Sequence, residues 1–360
     1  MLFATLNNDV VNMILALLDQ EDALRLACTC RSLREQSMRR ALSRLTIRGT
    51  HRNNDRVQSF CDYLLADPDD RPLCLKSLII HDVWKRDNLV PAFTSLAAVL
   101  RRAHSLRELY IARQVKFAID ACPAFADALA SIGSLHAFNT YNVDWDIVSP
   151  ILSRMPCQPR VLRFEVESGR RRRRAAKPQR LHHFVNSLTT LVLYHIPNIS
   201  DALDQHTVWP HVHTLSLFNG HVHSLRDLSR AFPNVRSLRA GNLHLTDCDT
   251  PPGWERLDFA NIEAGIPLTC PIRHMQLATD CQDHYTEPIF DRVIEMAGGA
   301  SCVALSAFFS LRLLQCAAAQ TDTLRILQLD ATCAFWDEKP DTLIVSWMPM
   351  CDPYCLLTAP

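Results

Sequence analysis

One six-residue pattern recurs down the chain and constrains its fold more than any other feature. It reads apolar-x-x-apolar-x-apolar: LKSLII from residue 75, LRELYI from 106, LHAFNT from 135, VLRFEV from 161, LTTLVL from 188 and VHTLSL from 212. It continues as VRSLRA from 235, WERLDF from 254, IRHMQL from 272, CVALSA from 302 and LRILQL from 324. Starting points lie 18 to 31 residues apart. The last two apolar positions are two residues apart, so on a strand they share one face. Between the patterns lie stretches with apolar spacings of three and four, the mark of a helix. These are AFTSLAAVLRRA (92–103), WDIVSPILSRM (145–155), LRDLSRAF (225–232) and PIFDRVIEMA (288–297). Pro91, Pro156 and Pro233 sit at their ends, where a missing N–H is tolerated. One such unit is too short to bury its own apolar face, so the units must stack.

This alternation resembles leucine-rich repeats. The resemblance implies an α/β fold with an irregular leucine-rich-repeat solenoid over 73–335. Residues 46–72, with LADPDDRP, form a linker or an imperfect first repeat, and 336–360 a C-terminal cap that includes the candidate strand DTLIVSW. A doubly wound α/β sheet is the competing architecture, but no glycine fingerprint for a nucleotide follows any of the strands. Asn142, Asn219, Asn242 and Asn261 stand two positions after the third apolar residue, where the family often places Asn or Cys at three. A regular asparagine ladder is therefore not expected. The resemblance also implies that residues between the apolar strand positions line a concave, target-binding face. By that offset Tyr110, Tyr141, Tyr194, Phe218, Arg239 and Arg256 are the candidate contacts, as aromatic and arginine side chains are common binding anchors.

The first forty residues have a different grammar. From Val10 to Leu18, apolar residues occupy 10, 11, 13, 14, 15, 17 and 18. At 100° per residue they span an arc of about 200°, whereas a surface helix needs a stripe a little over 100° wide. Part of that arc must be covered by something besides the helix's own domain. Asn7 is placed to cap this helix, with Leu6 and Val11 as a hydrophobic staple. Asp19 is placed to end it and cap the next, EDALRLACTC. Ser32-x-x-Glu35 reads as a capping box for a third helix, LREQSMRRALSRL. Three short helices barely bury enough surface to stand alone.

The segment LNNDVVNMILALLDQEDALRLACTCRSLR resembles the F-box motif. Leu6, Asp9, Val10, Val11, Ile14, Leu15, Leu18, Asp22, Leu24 and Cys30 match its pattern. Asn7 replaces the family's proline, and Leu33 replaces a frequent tryptophan. The resemblance implies a three-helix F-box over 1–45 whose outer apolar face docks the Skp-type adaptor of a cullin–RING ubiquitin ligase and, through it, a cullin. Leu6, Asp9, Val10, Val11, Ile14, Leu15, Leu18, Leu24 and Cys30 are the expected adaptor contacts. The chain as a whole then resembles the F-box leucine-rich proteins, non-catalytic receptors that present a target protein for ubiquitination. The alternative is a leucine-rich-repeat interaction scaffold unconnected with ubiquitination, its N-terminal helices serving as a cap.

Composition narrows the remaining classes. The 360 residues carry 38 Lys plus Arg and 38 Asp plus Glu, so net charge makes no case for nucleic acid and only local patches could. The chief local patch is GRRRRRAAKPQR (169–180), where Arg170, Arg171, Arg172, Arg173 and Arg174 run together. Such a run stays solvated; a nuclear-import signal, an RNA or anionic-surface contact, an acidic-substrate strip and a loop with no dedicated partner are all open readings. The fourteen cysteines include no C-x-x-C pair, and no basic-then-apolar leader opens the chain. They read as core residues of a protein in a reducing compartment, cytoplasm or nucleus, with no metal. His211-x-His213 and His221-x-His223 lack a fixed third ligand. No nucleophile elbow, zinc-protease helix or Walker loop occurs. No enzymatic activity, cofactor, small-molecule substrate or membrane span is expected.

Overall fold

The computed structural model describes residues 7–48, 54–81, 89–112, 115–143, 145–166, 181–196, 199, 203, 206–247, 250, 252–263, 266, 268–278, 302–306, 326–330 and 342–346. The chain divides into two compact units, Met1–Gln179 and Arg180–Pro360.

In the first unit, three helices, α1 (Asn8–Leu17), α2 (Gln20–Thr29) and α3 (Arg34–Leu42), lead into strand β1 (Arg44–Arg48). Helix α4 (Asn54–Leu65) and a 3-10 turn (Arg71–Cys74) return the chain to β2 (Ser77–His81). Helix α5 (Leu89–Leu100) precedes β3 (Glu108–Ile111), α6 (Val115–Ala121) and α7 (Pro123–Ala130) precede β4 (Ala137–Thr140), and α8 (Trp145–Arg154) precedes β5 (Val161–Glu165). The strands pair in parallel and in chain order. One register row runs Leu45–Leu78–Leu109–Phe138–Leu162, all buried. Their neighbours Thr46, Ile79, Tyr110, Asn139 and Arg163 form the alternate row, on the opposite face. Among the helices, Phe93 of α5 lies edge-on to Phe125 of α7 at 4.9 Å.

The second unit holds β6 (Thr190–Tyr194), β7 (Thr214–Ser224), helix α9 (Leu225–Ala231), β8 (Ser237–Asp247), β9 (Leu257–Glu263) and β10 (Ile272–Ala278). Strands β11 (Cys302–Ser306), β12 (Ile326–Asp330) and β13 (Thr342–Ser346) follow. Pairing is parallel and sequential through β12, and β13 pairs antiparallel with it. The buried row is Leu191–Leu215–Leu238–Ala260–Met275. Ser224 begins α9: its hydroxyl accepts from the Asp227 N–H at 3.1 Å and donates to the Asp227 carboxylate at 2.9 Å. The Trp254 indole N–H, buried, donates to the Phe232 carbonyl at 2.8 Å.

Strands β7 and β8 run for 11 residues each because they bend without losing their pairing. The corner falls at Asn219 (φ 54°) and Asn242 (φ 48°), with His195 (φ 57°) beside them. These are left-handed conformations, which asparagine adopts more readily than most residues. The Asn242 side-chain amide donates to the Asn219 Oδ1 at 2.6 Å, and the Asn219 amide lies 3.5 Å from His195 Nε2. One asparagine-to-asparagine bond therefore forms at the two-position offset, where the backbone turns left-handed, and not a regular ladder. Asn142 is also left-handed (φ 55°). Asn261 differs: it lies on the open row of β9, donating to Gln276 at 3.1 Å. Beyond the corner Gly220 passes so close to its neighbour that a Cβ would stand 2.7 Å from the Ile196 carbonyl oxygen.

The register corrects three of the repeats. WERLDF would align Trp254, Leu257 and Phe259 as the inward set. Instead Leu257 aligns with Ile272, Ala260 with Leu238 and Met275, and Ile262 with Ala240. The pattern begins three residues later, at LDFANI, and Phe259 takes a position on the opposite face. VLRFEV shifts too: Leu162, rather than the expected Phe164, takes the register position beside Phe138 in the buried row. In CVALSA, Val303 and Leu305 take the register positions of Met275 and Leu277. The return PIFDRVIEMA lies outside the described residues.

Candidate functional site: an uncovered helix face

Helix α1 starts as its sequence requires. The Asn7 carboxamide oxygen accepts from the Asp9 N–H at 3.1 Å, satisfying one of the donors a helix N-terminus leaves open. Asp19 does the same for α2, accepting from the Asp22 N–H at 2.8 Å. The capping box at Ser32 does not form. A 3-10 turn over Arg31–Leu33 opens α3, with no side-chain cap. Ser32 instead lies 3.3 Å from the Cys30 sulfur, and Glu35 pairs with Arg39 at 3.2 Å. The hydrogen bond from Ser32 lowers the Cys30 thiol below its ordinary value, aided by the Leu33 backbone N–H.

Val11, Leu15 and Leu33 form the small core of this bundle, with Leu18, Leu26 and Cys30 packed partly against it. Arg40 of α3 fastens the end of α1. Its guanidinium donates to the Ala16 carbonyl at 2.8 Å and to the Leu18 carbonyl at 2.9 and 3.1 Å. These are carbonyls a helix C-terminus leaves without internal donors.

The opposite flank of α1 is uncovered. Val10 is 42% exposed, Met13 69% and Leu17 87%, with Ile14 half-buried between them. They stand at i, i+3, i+4 and i+7, one continuous stripe. Among the described residues of the bundle, Leu24 of α2 is also exposed, at 39%.

The expected adaptor contacts thus separate. Val10, Ile14 and Leu24 reach the surface, and Asp9 is exposed in the first turn. Val11 and Leu15 are core, and Leu18 and Cys30 line it; their part is to hold the stripe in place. Leu6 lies outside the described residues. Met13 and Leu17, absent from the expected set, are the most exposed members of the stripe. Their signal was the width of the apolar arc, which includes them.

On the sheet faces, Tyr194 and Phe218 occupy one register row and stack at 4.6 Å with planes 8° apart. Arg239 lies over the Phe259 ring at 5.6 Å. In the first unit Tyr110 lies 5.1 Å from the His81 ring, and Tyr141, just past β4, is 44% exposed. Arg256 departs from the expectation: it precedes β9 and pairs with Asp258 at 2.8 Å, a consequence of the shifted register. Arg170, Arg171, Arg172, Arg173 and Arg174 lie outside the described residues. His211 and His213 precede β7, and His221, beyond the corner, stacks on His244 at 4.7 Å. Among the described residues no three His, Cys, Asp or Glu side chains gather as a metal site, and no helix is long and apolar enough to cross a membrane.

A capped three-helix unit with an apolar stripe held open to solvent defines a protein-docking domain. Residues 3–44 match the family model of the F-box domain, so the chain carries an F-box. F-box domains bind Skp-type adaptors, which lead to a cullin. A comparison with curated proteins returned no match.

Proposed function

We propose that this protein is a substrate-recognition subunit of an SCF-type cullin–RING ubiquitin ligase, acting in the cytoplasm or nucleus. The F-box docks the Skp-type adaptor through Val10, Met13, Ile14, Leu17 and Leu24. The parallel strand units are leucine-rich repeats, a reading supported by strand order that never reverses within either unit. Their open faces, with Tyr110, Tyr141, Tyr194, Phe218 and Arg239, bind the target protein. The receptor supplies proximity and orientation to a ubiquitin transfer carried out elsewhere in the complex.

The observation that carries this reading is the uncovered stripe on α1, within residues that match the F-box. The test is co-expression of the full chain with a Skp-type adaptor, followed by size-exclusion chromatography. Co-elution as a stoichiometric complex that also captures a cullin is the expected result. Elution of the two proteins apart rejects the assignment.

A further inference from the structure

Arg239 of β8 stands on the open row of the second unit's sheet, exposed, with its guanidinium 5.6 Å from the centre of the Phe259 ring. A ring contact of this kind steadies a guanidinium without neutralising it. Among the described residues Arg239 forms no ion pair. Its register neighbours are Ser216 and Asn261, and Ser237 and Gly241 flank it on the same face of its own strand. None of the four carries charge. The carboxylates of this stretch stand elsewhere: Asp258 pairs with Arg256 at 2.8 Å, and Glu263 closes β9.

Two features beside Arg239 indicate what accompanies the charge. Ser216 is only 4% exposed, on a row that is open at Arg239, so the surface dips there to a small hydroxyl. Two residues along β7, Phe218 stacks on Tyr194 at 4.6 Å with planes 8° apart, both rings half-buried. A steadied cation and an apolar wall thus flank a shallow notch. From strand spacing and rise, the Phe218 and Arg239 positions lie about 8 Å apart. Alternate side chains of an extended peptide point the same way about 6.8 Å apart, so the two anchors suit residues i and i+2 of such a segment. One guanidinium matches one carboxylate through two parallel hydrogen bonds. Phosphorylated segments are read by arginine clusters, and single-stranded nucleic acid by a cationic groove that tracks its backbone. Here a single arginine leads into the neutral pair Asn261 and Gln276, bonded at 3.1 Å.

We propose that this notch selects an extended target segment with an acidic side chain two residues from an apolar one. Arg239 takes the carboxylate, and the Tyr194–Phe218 stack takes the apolar group. The proposal rests on the reading of the open sheet face as the target surface and is independent of the adaptor.

The test is selection of a random dodecapeptide library on the full chain carrying Met13→Asp and Leu17→Asp, which removes the α1 stripe as a competing surface. The strongest binder is then measured on the parent chain by fluorescence anisotropy. Enriched peptides should carry Asp or Glu two positions from Leu, Ile, Met or Phe. Arg239→Gln should weaken the chosen peptide by about tenfold. Replacing the peptide's acid by its amide, a change that leaves the fold untouched, should do the same. The two changes together should weaken binding no further than either alone, the mark of a direct contact. Arg239→Lys should recover only part of the loss, because an ammonium lacks the planar fork. Adaptor capture should survive Arg239→Gln. Failure of the parent chain to capture the adaptor would end the ligase reading, whereas loss of the acidic signature ends this one. The proposal is overturned by no enrichment, by enriched peptides without an acidic excess, or by binding indifferent to Arg239→Gln. It is equally overturned if the phosphoserine version of the peptide, or labelled oligouridylate, binds more tightly and is released by Arg239→Gln.

Discussion

The paired substitution Met13→Asp and Leu17→Asp isolates the stripe from the fold that holds it. Both side chains are largely exposed in the free chain, at 69% and 87%, and Val11, Leu15 and Leu33 make the core without them. Replacing exposed side chains away from caps and ion pairs changes stability by no more than about 0.5 kcal/mol, so thermal unfolding should be unchanged. Binding is another matter. Covering a Leu or Met side chain contributes about 1.5–3 kcal/mol, and a carboxylate in its place must be stripped of water without a partner. Allowing for incomplete coverage, the pair should cost at least about 3 kcal/mol, or more than 100-fold in affinity. Isothermal titration with a purified Skp-type adaptor measures this directly. The control is Leu15→Ala, which should lose about 2–5 kcal/mol of fold stability by opening a cavity in the bundle. A double variant that binds within about threefold of the parent, a difference under 1 kcal/mol, would show that the stripe is not the docking face.

Other outcomes follow from single contacts. Gly220→Ala should destabilise the second unit by about 1–3 kcal/mol in thermal or urea unfolding, since a backbone carbonyl 2.7 Å away cannot yield as a flexible side chain would. Asn242→Val should cost more than Asn242→Gly, because both lose the 2.6 Å bond to Asn219 but only valine is strained at φ 48°. Alkylation of Cys30 should show a pH midpoint below the ordinary thiol range, and Ser32→Ala should move it upward, because the hydroxyl stabilises the thiolate that reacts. Burial pushes the Cys61 thiol up to about 12, so in the folded protein it should stay protonated and unlabelled through pH 9, reacting only on unfolding.

The inward rows of the sheets were legible because alternate residues on a strand face the same way, and large apolar residues at both inward positions of most strands, such as Leu78 with Ile80 or Leu191 with Leu193, leave little choice of phase. The phase failed at WERLDF for a specific reason. Trp254, Leu257 and Phe259 fit the same spacing three residues early, and only Arg239 over the Phe259 ring shows how an aromatic can occupy the other face. The true inward residue, Ala260, is a weak apolar signal. The same limit applies to α1. The arc's excess width could be counted, but Val11 and Met13 are equally apolar on a wheel, and the choice of inward flank is made by Leu33, eighteen residues beyond Leu15. The capping box was misplaced because the 3-10 turn takes Ser32 before a helix can use it. The asparagines were visible as a set, but their purpose depends on a backbone corner that spacing does not encode.

The grip of Arg40 on the last carbonyls of α1 has a consequence for the speed of assembly. A short helix at the margin of a small bundle would ordinarily fray, and a partner would then have to order it during each encounter. Here the final turn is pinned from the third helix, so the oily stripe keeps its shape while it waits. Capture then resembles closing a ready-made latch, its rate governed by diffusion and alignment more than by any rearrangement of this helix.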